Sequence, residues 1–367
     1  MSPILPFIVF LLSFWAVVYL IGRYRQLGKY GVEVKPLFIN LKSDRIASVF
    51  RRVKGGKVGK VIGDIGIAIG AGLLFFACYI FISNLGQVFF RTEAVVSVVP
   101  PIPGVTIDWP QLPYFVISAA IVLISHEFAH GYMAAAEGIP VKAAGIFLAF
   151  VIPGGYIEPS EEHFKQSSLS SKLRVLSMGS TANLAVALLI IILVPALFSP
   201  TPTGVQVVRV VRDEIVGKLA ENCVIYSINS SPINSVRQLS EFMSEVHPGE
   251  TLVLETSRGE VILSAGSQNG RAVIGIRPRN YFPLRGGLAG EEVSIGLLAT
   301  LDWAHMLSLG VGVVNMLPIY LLDGGGMLQA VADRYWPKRS RLIVIASSVF
   351  FVTLLLLSML VGLGVLR

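Results

Sequence analysis

Three ionisable side chains stand within one helical turn of an otherwise apolar stretch, VLISHEFAHGYMAAAEG, which runs from Val122 to Gly138. At the centre of a lipid bilayer a charged side chain costs at least ~2.5–3.5 kcal/mol on insertion scales, so His126, Glu127 and His130 require an interaction that offsets it. Residues four apart share a helix face. His126 and His130 can therefore direct two imidazole nitrogens at one ion, while Glu127 on the adjacent edge can contact a water held there. H-E-x-x-H is the spacing of zinc hydrolases. The chain has only five histidines, and two of them are here. The plain alternative, histidines hydrogen-bonded to neighbouring helices, leaves Glu127 unexplained.

A catalytic zinc keeps three protein ligands and one open position, so a third ligand is expected at the same depth. Asp323, in VVNMLPIYLLDGGGML, is a lone carboxylate in a long uncharged run. Gly324 to Gly326 would let the backbone turn tightly there and bring it to face the histidine pair. The alternative for Asp323 is a helix cap beside glycines, and His305, Asp302, Glu158 and His163 are weaker candidates for the third ligand.

The elements that must position these groups follow from composition. The 367 residues are 53% hydrophobic and 14% charged, against roughly 25% charged in an ordinary soluble domain, and the mean hydropathy is +0.70. Six apolar runs, Ile4–Ile21, Val61–Phe89, Pro113–Ala136, Leu173–Phe198, Ile295–Leu317 and Leu342–Leu366, are each about the ~20 residues that cross a bilayer. The fold class expected is thus an α-helical polytopic membrane protein with about six transmembrane helices. No basic residue precedes the first run, which argues for a retained helix and against a cleaved signal.

Eleven Lys or Arg lie in Gly22–Lys60 against Glu33 and Asp44, which places that loop in the cytoplasm by the positive-inside rule. The same count puts the basic loop Asp333–Arg341 inside and both termini outside, in what is expected to be the cell membrane. Basic residues beside spans set topology and touch anionic lipid, so the +7 net charge calls for no nucleic acid. Cys78 and Cys223 are not expected to pair.

From Thr203 to about Phe282 the composition becomes that of a small soluble domain. Strand-like runs occur at Gly204–Val211, Val224–Ile228, Thr251–Ser257 and Glu260–Gly266, the last pair joined across Arg258-Gly259. Between them SVRQLSEFMSEV puts Val236, Leu239, Met243 and Val246 on one helix face, with Ser235 as a cap. The segment resembles a PDZ domain in INSSPINSVRQL and HPGETLVLETSRGE, although AENC stands where that family has a Pro-Gly-Asp turn; a spacer that limits access is the alternative. The division expected is 1–60, a first helix and basic loop; 61–202, the membrane core with HEFAH; 203–282, the PDZ-like α+β domain; and 283–367, the second motif and last helix.

The two motifs together resemble the site-2 protease family of intramembrane zinc metalloproteases. HEFAH matches its first motif, and NMLPIYLLDGG its second, with Asn315, Pro318 and Asp323-Gly324 at the family spacing. The resemblance implies that His126, His130 and Asp323 bind Zn2+ and that Glu127 is the general base. MGSTAN, Met178–Asn183, is similar to the family's Gly-x-x-x-Asn element but lacks the Pro usual after its Gly; Asn183 and Asn315 are expected as polar helpers near the site, or as helix–helix hydrogen bonds. The function expected is hydrolysis of a peptide bond within or near the bilayer in a single-pass transmembrane substrate. A membrane zinc transporter and a non-catalytic adaptor are the rival classes.

One further segment follows the HEFAH helix. Pro153-Gly154-Gly155 breaks an apolar stretch too short to cross the bilayer on either side, which predicts a hairpin or re-entrant element. Its segment Gly145–Ile157, with Gly145, Phe147 and Ala149, is expected to offer a strand edge to which an unwound substrate adds.

Overall fold

The computed structural model describes residues 4–53, 55–90, 98–149, 152–215 and 217–363. Two compact units emerge, one of residues 1–189 with 303–367 and one of 190–302. In chain order the elements are α1 (Ile4–Tyr24), β1 (Val32–Lys35), β2 (Phe38–Lys42), α2 (Asp44–Phe50), α3 (Lys57–Phe90), α4 (Leu112–Ala136), β3 (Val141–Ala149), β4 (Ile152–Pro159), α5 (Glu161–Gln166) and α6 (Leu169–Leu197). They continue as β5 (Gly204–Val210), β6 (Val224–Ile228), β7 (Ser231–Pro232), α7 (Val236–Glu245), β8 (Thr251–Thr256), β9 (Gly259–Ser264), β10 (Gly266–Gln268), β11 (Arg271–Val273), β12 (Ile276–Tyr281), α8 (Glu291–Asn315), α9 (Asp323–Tyr335) and α10 (Ser340–Gly362).

A chain with long apolar runs satisfies its backbone within lipid only by forming helices, because no water is there to bond to exposed amides. Five helical stretches among the described residues are long and apolar enough to cross a membrane: Lys57–Gly86, Trp109–Ala136, Leu169–Leu197, Glu291–Asn315 and Ser340–Gly362. They fall on five of the six expected runs. The first expected run falls on α1, whose stretch with described side chains, Leu11–Tyr24, is apolar but shorter than a span. The end of the last expected run, residues 364–366, lies outside the described residues.

The first unit also contains a four-stranded antiparallel sheet in the order β1-β2-β3-β4. β1 and β2 lie inside the segment read only as a basic loop. Their signal was present, since Val32-Glu33-Val34-Lys35 alternates with period two, but charge density masked it. The hairpin is β3 and β4, with Gly145 opposite Tyr156 and Ala149 opposite Ile152. Pro153-Gly154-Gly155 is not its turn: all three residues pair within β4, opposite Leu148, Phe147 and Ile146. Proline is tolerated there because β4 is an edge strand.

Against this sheet packs α4. Phe50 of α2, Met133 and Ala134 of α4, Ala144 of β3 and Val175 of α6 share one apolar core. Gly131 lets the layers close, since a Cβ there would meet the Phe50 ring and Ile157 Cδ1 at 2.8 Å.

The second unit has its own sheet, ordered β12-β5-β6-β8-β9 with β7 beside β6. The expected strands and helix are all found, and Ser235 Oγ accepts the Gln238 amide as the cap of α7 (3.2 Å). Thr256 pairs with Gly259 across the expected hairpin, where Gly259 takes φ +106, a conformation that side chains resist. Both cysteines are free.

Candidate metal centre

One turn of α4 brings His126 and His130 to the same side, with ring centroids 4.7 Å apart and their Nε2 atoms 3.1 Å apart. Asp323, the first residue of α9, sends Oδ2 to 3.3 Å from each of those nitrogens. Among the described residues this is the one cluster of His, Cys, Asp or Glu able to hold a metal ion, with ligand atoms all within 4.8 Å of one another. Asp323 does not cap α9, whose N-cap is Leu322 with no side-chain bond. The other candidates for a third ligand lie apart from this cluster: His305 Nδ1 faces the Ala187 carbonyl (3.1 Å), His163 bonds Ser160 Oγ, and Asp302 pairs with Arg279. Glu158 lines the cavity beside the cluster without joining it.

The glycines after Asp323 act differently from expectation. None takes a positive φ. Instead a Cβ at Gly324 would sit 2.1 Å from the Met316 carbonyl oxygen, and one at Gly325 1.9 Å from that of Ile319. They let the first turn of α9 lie directly on the backbone that leaves α8, which carries Asp323 to the histidines. Gly179 does the same for α6, because a Cβ there would fall 2.2 Å from His130 Nε2 and 2.5 Å from His126 Cε1.

Each imidazole is oriented from behind. His130 Nδ1 donates to the Val175 carbonyl at 2.7 Å, which leaves Nε2 with its lone pair toward the cluster. The Asn183 amide lies 3.1 Å from His126 Nδ1, and Asn183 Oδ1 is buried without a partner among the described residues. Turning that amide about its axis gives Oδ1 a ring N–H to accept and frees His126 Nε2 likewise. Asn315 brings a second amide to 3.1 Å from His126 Nε2. Both asparagines expected near the site are therefore there; Val175 reaches His130 through its backbone carbonyl, which no residue type reveals.

These atoms suit a cation. Two nitrogen lone pairs and a buried carboxylate oxygen that has no hydrogen-bond partner among the described residues face one another at 3.1–3.3 Å. Ligand atoms ~2.0–2.1 Å from a tetrahedral zinc are about 3.3 Å apart, and without a positive charge between them this convergence is repulsive.

Glu127 lines the same cavity and turns toward the sheet, where its Oε2 accepts the Ile157 amide of β4 at 3.0 Å. That cavity, of about 620 Å³, runs between the metal cluster and Tyr156, Ile157, Glu158 and Pro159 of β4. Near it Glu161 pairs with Lys165, whose ammonium holds the carboxyl below its ordinary range. Glu137 is engaged by Arg174 (2.9 Å) and Ser171 (2.6 Å).

The strand edge expected in Gly145–Ile157 falls on β4 and not on β3. Gly145, Phe147 and Ala149 lie on β3, which pairs with β2 on one side and β4 on the other, so none of them presents a free edge. Phe147 packs on Phe38 and on Gly154, and Gly145 makes room for the Tyr156 ring. The edge of the sheet nearest the cluster is β4.

Residues 114–357, well over half of the chain, match Peptidase family M50. The chain belongs to this family. Its members are zinc metalloproteases. The five apolar helices among the described residues, with this membership, mark an integral membrane protein. An uncharacterized protein of Methanocaldococcus jannaschii is 28% identical over 252 residues, covering 67% of this chain and 62% of that one. The membrane-bound transcription factor site-2 protease homolog of Arabidopsis thaliana is 25% identical over 154 residues, 41% of this chain and 30% of that protein. The chain thus matches under two thirds of the length of either relative.

Proposed function

We propose that this chain is an intramembrane zinc metalloprotease that hydrolyses a peptide bond within or near the transmembrane segment of a single-pass membrane protein. The observation that carries the reading is the meeting of His126, His130 and Asp323, from helices far apart in sequence, with Glu127 lining the same cavity. His126 Nε2, His130 Nε2 and Asp323 Oδ2 would hold the ion. A zinc ion bound there supplies Lewis-acid chemistry, acidifying water and polarising a carbonyl.

The chain's own groups do the rest. Glu127 takes the proton of the attacking water and passes it to the leaving amine. Val175 and Asn183 hold the two imidazoles with Nε2 facing the cluster, and Asn315 offers an amide donor beside it. An extended substrate segment adds to β4, where backbone bonds supply affinity and alternate side chains selectivity. Substrates with Gly, Pro or Asn in the span should be preferred, because such residues make a helix easier to unwind. Residues 203–282 act as a PDZ-like module that binds peptide or limits access, on the outer side with both termini.

Zinc content measured beside cleavage of a transmembrane peptide tests the reading. Glu127→Gln should lower the cleavage rate by ~10²–10⁴ and keep the metal, since it spares all three ligands. Asp323→Ala should lose both. A Glu127→Gln enzyme that cuts at the wild-type rate would refute the mechanism.

A further inference from the structure

Among the hydrogen bonds at the site, one joins the base to the strand that the substrate would pair with. Ala144 of β3 gives its carbonyl to the Ser43 amide at 2.8 Å, on the side away from β4. Its partner across the β3–β4 ladder is Ile157. In an antiparallel pair such a residue turns its own N–H and C=O outward, away from the ladder, and Gly155, two residues back, faces the same way. The outward amide of Ile157 is the one that Glu127 Oε2 occupies, at 3.0 Å. Gly155 lies over the same side chain, since a Cβ there would be 3.4 Å from Glu127 Cγ.

A segment pairing with β4 and the Glu127 carboxylate therefore compete for one donor. We infer that the Ile157 N–H is a positioning group that holds Glu127 on the β4 edge until an extended segment adds to that edge, takes the amide and releases the carboxylate to the reacting water. This rests on the reading above and specifies how the site is regulated: the base is freed by the event that delivers the scissile backbone. The exchange is balanced in hydrogen bonds. One acceptor, a peptide carbonyl, replaces another on the same N–H, and the displaced carboxylate finds a new donor in water. The rival geometry keeps Oε2 on Ile157 throughout and uses Oε1 alone, in which case the amide is never available to a substrate.

The test takes the full chain in detergent, both stripped of zinc and zinc-loaded, with a fluorescent transmembrane peptide bearing Asn-Gly at its centre. Removing the competitor in Glu127→Ala should tighten peptide binding about tenfold in both forms, the worth of a charge-assisted bond partly offset by water. Glu127→Gln keeps an uncharged acceptor and should fall between. Amide exchange at Ile157, followed over β4 by mass spectrometry, gives a second readout. The amide should be protected in the wild type with or without peptide, fast in Glu127→Ala alone, and protected again when peptide is added. An Ala variant that binds no tighter, an Ile157 amide still fast with peptide bound, or no binding by any variant would each overturn the inference. The protease reading is judged apart from it, by whether zinc-loaded wild type cleaves this same peptide.

Discussion

The six-stranded sheet of the second unit closes on aliphatic side chains, with Val205, Val207, Ile225, Ile228, Leu252 and Leu254 all at 0% exposure. The four-stranded sheet of the first unit is built of other material. Its last two strands put Gly145, Gly154 and Gly155 at positions where side chains would otherwise stand, and fill the gaps with rings. Phe147 lies on Gly154, and Tyr156 crosses Gly145. The first arrangement removes about the maximum of apolar surface from water and stabilises a fold. The second keeps a backbone edge close to other groups, which is what peptide recognition by strand addition uses. The difference fits the proposed roles: a sheet that serves as a fold is recognised by its core, and one proposed to bind along its edge by its glycines.

The largest effect that tests this contrast lies in the second unit. Leu252→Ala removes a fully buried side chain from the aliphatic core and should cost ~2–5 kcal/mol. Denaturant unfolding followed by a probe within residues 190–302 measures it. Because every ligand of the metal cluster lies outside those residues, metal affinity should be unchanged in the same protein. A variant that lost zinc as readily as it lost stability would show that the two sheets do not divide the labour in this way.

A smaller effect is expected at the metal cluster. Asn183→Ala deletes the group behind His126 while leaving the ring, and loss of such an orienting partner lowers metal affinity by ~10–100-fold. Competition with a chelator reads it directly, and unfolding of the second unit serves as the control that should not move. Unaltered affinity would reduce Asn183 to a contact between helices.

The same contrast explains what could be read in advance. The strands of the second unit and the cap of α7 were legible because alternation and capping are written in side chains. HEFAH and Asp323 were legible because ionisable groups in an apolar chain have few uses. The β4 edge was legible only in part. Pro-Gly-Gly in sequence reads as a break in a hairpin, whereas glycine and proline can also mark an edge strand that other groups approach. Which strand is the edge depends on β1 and β2, and those were hidden in a segment dominated by lysine and arginine. The Val175 carbonyl and the Ile157 amide could not be seen at all, since every residue carries those atoms and only the fold decides where they point.

The smallest effect concerns how the glycine-bearing strands of this sheet are held together. Asn40 on β2 and Tyr156 on β4 are joined at 3.2 Å, so one side-chain bond spans β3. The span is possible because Gly145, between them, has no side chain; a Cβ there would lie 2.7 Å from the Tyr156 ring. Aromatic cover over a strand glycine is a known way to stabilise such a site, and the hydroxyl adds a polar link on top of it. Tyr156→Phe keeps the ring and removes the link, at a cost of ~0.5–1.5 kcal/mol. Amides of β2, β3 and β4 should then exchange several-fold faster, while those of β5, β6 and β8 keep their wild-type rates. Gly145→Ala should give the same acceleration by another route, displacing the ring and its hydroxyl together. If Tyr156→Phe left exchange through β3 unchanged, the rings alone would be holding the sheet and the Asn40–Tyr156 bond would carry nothing.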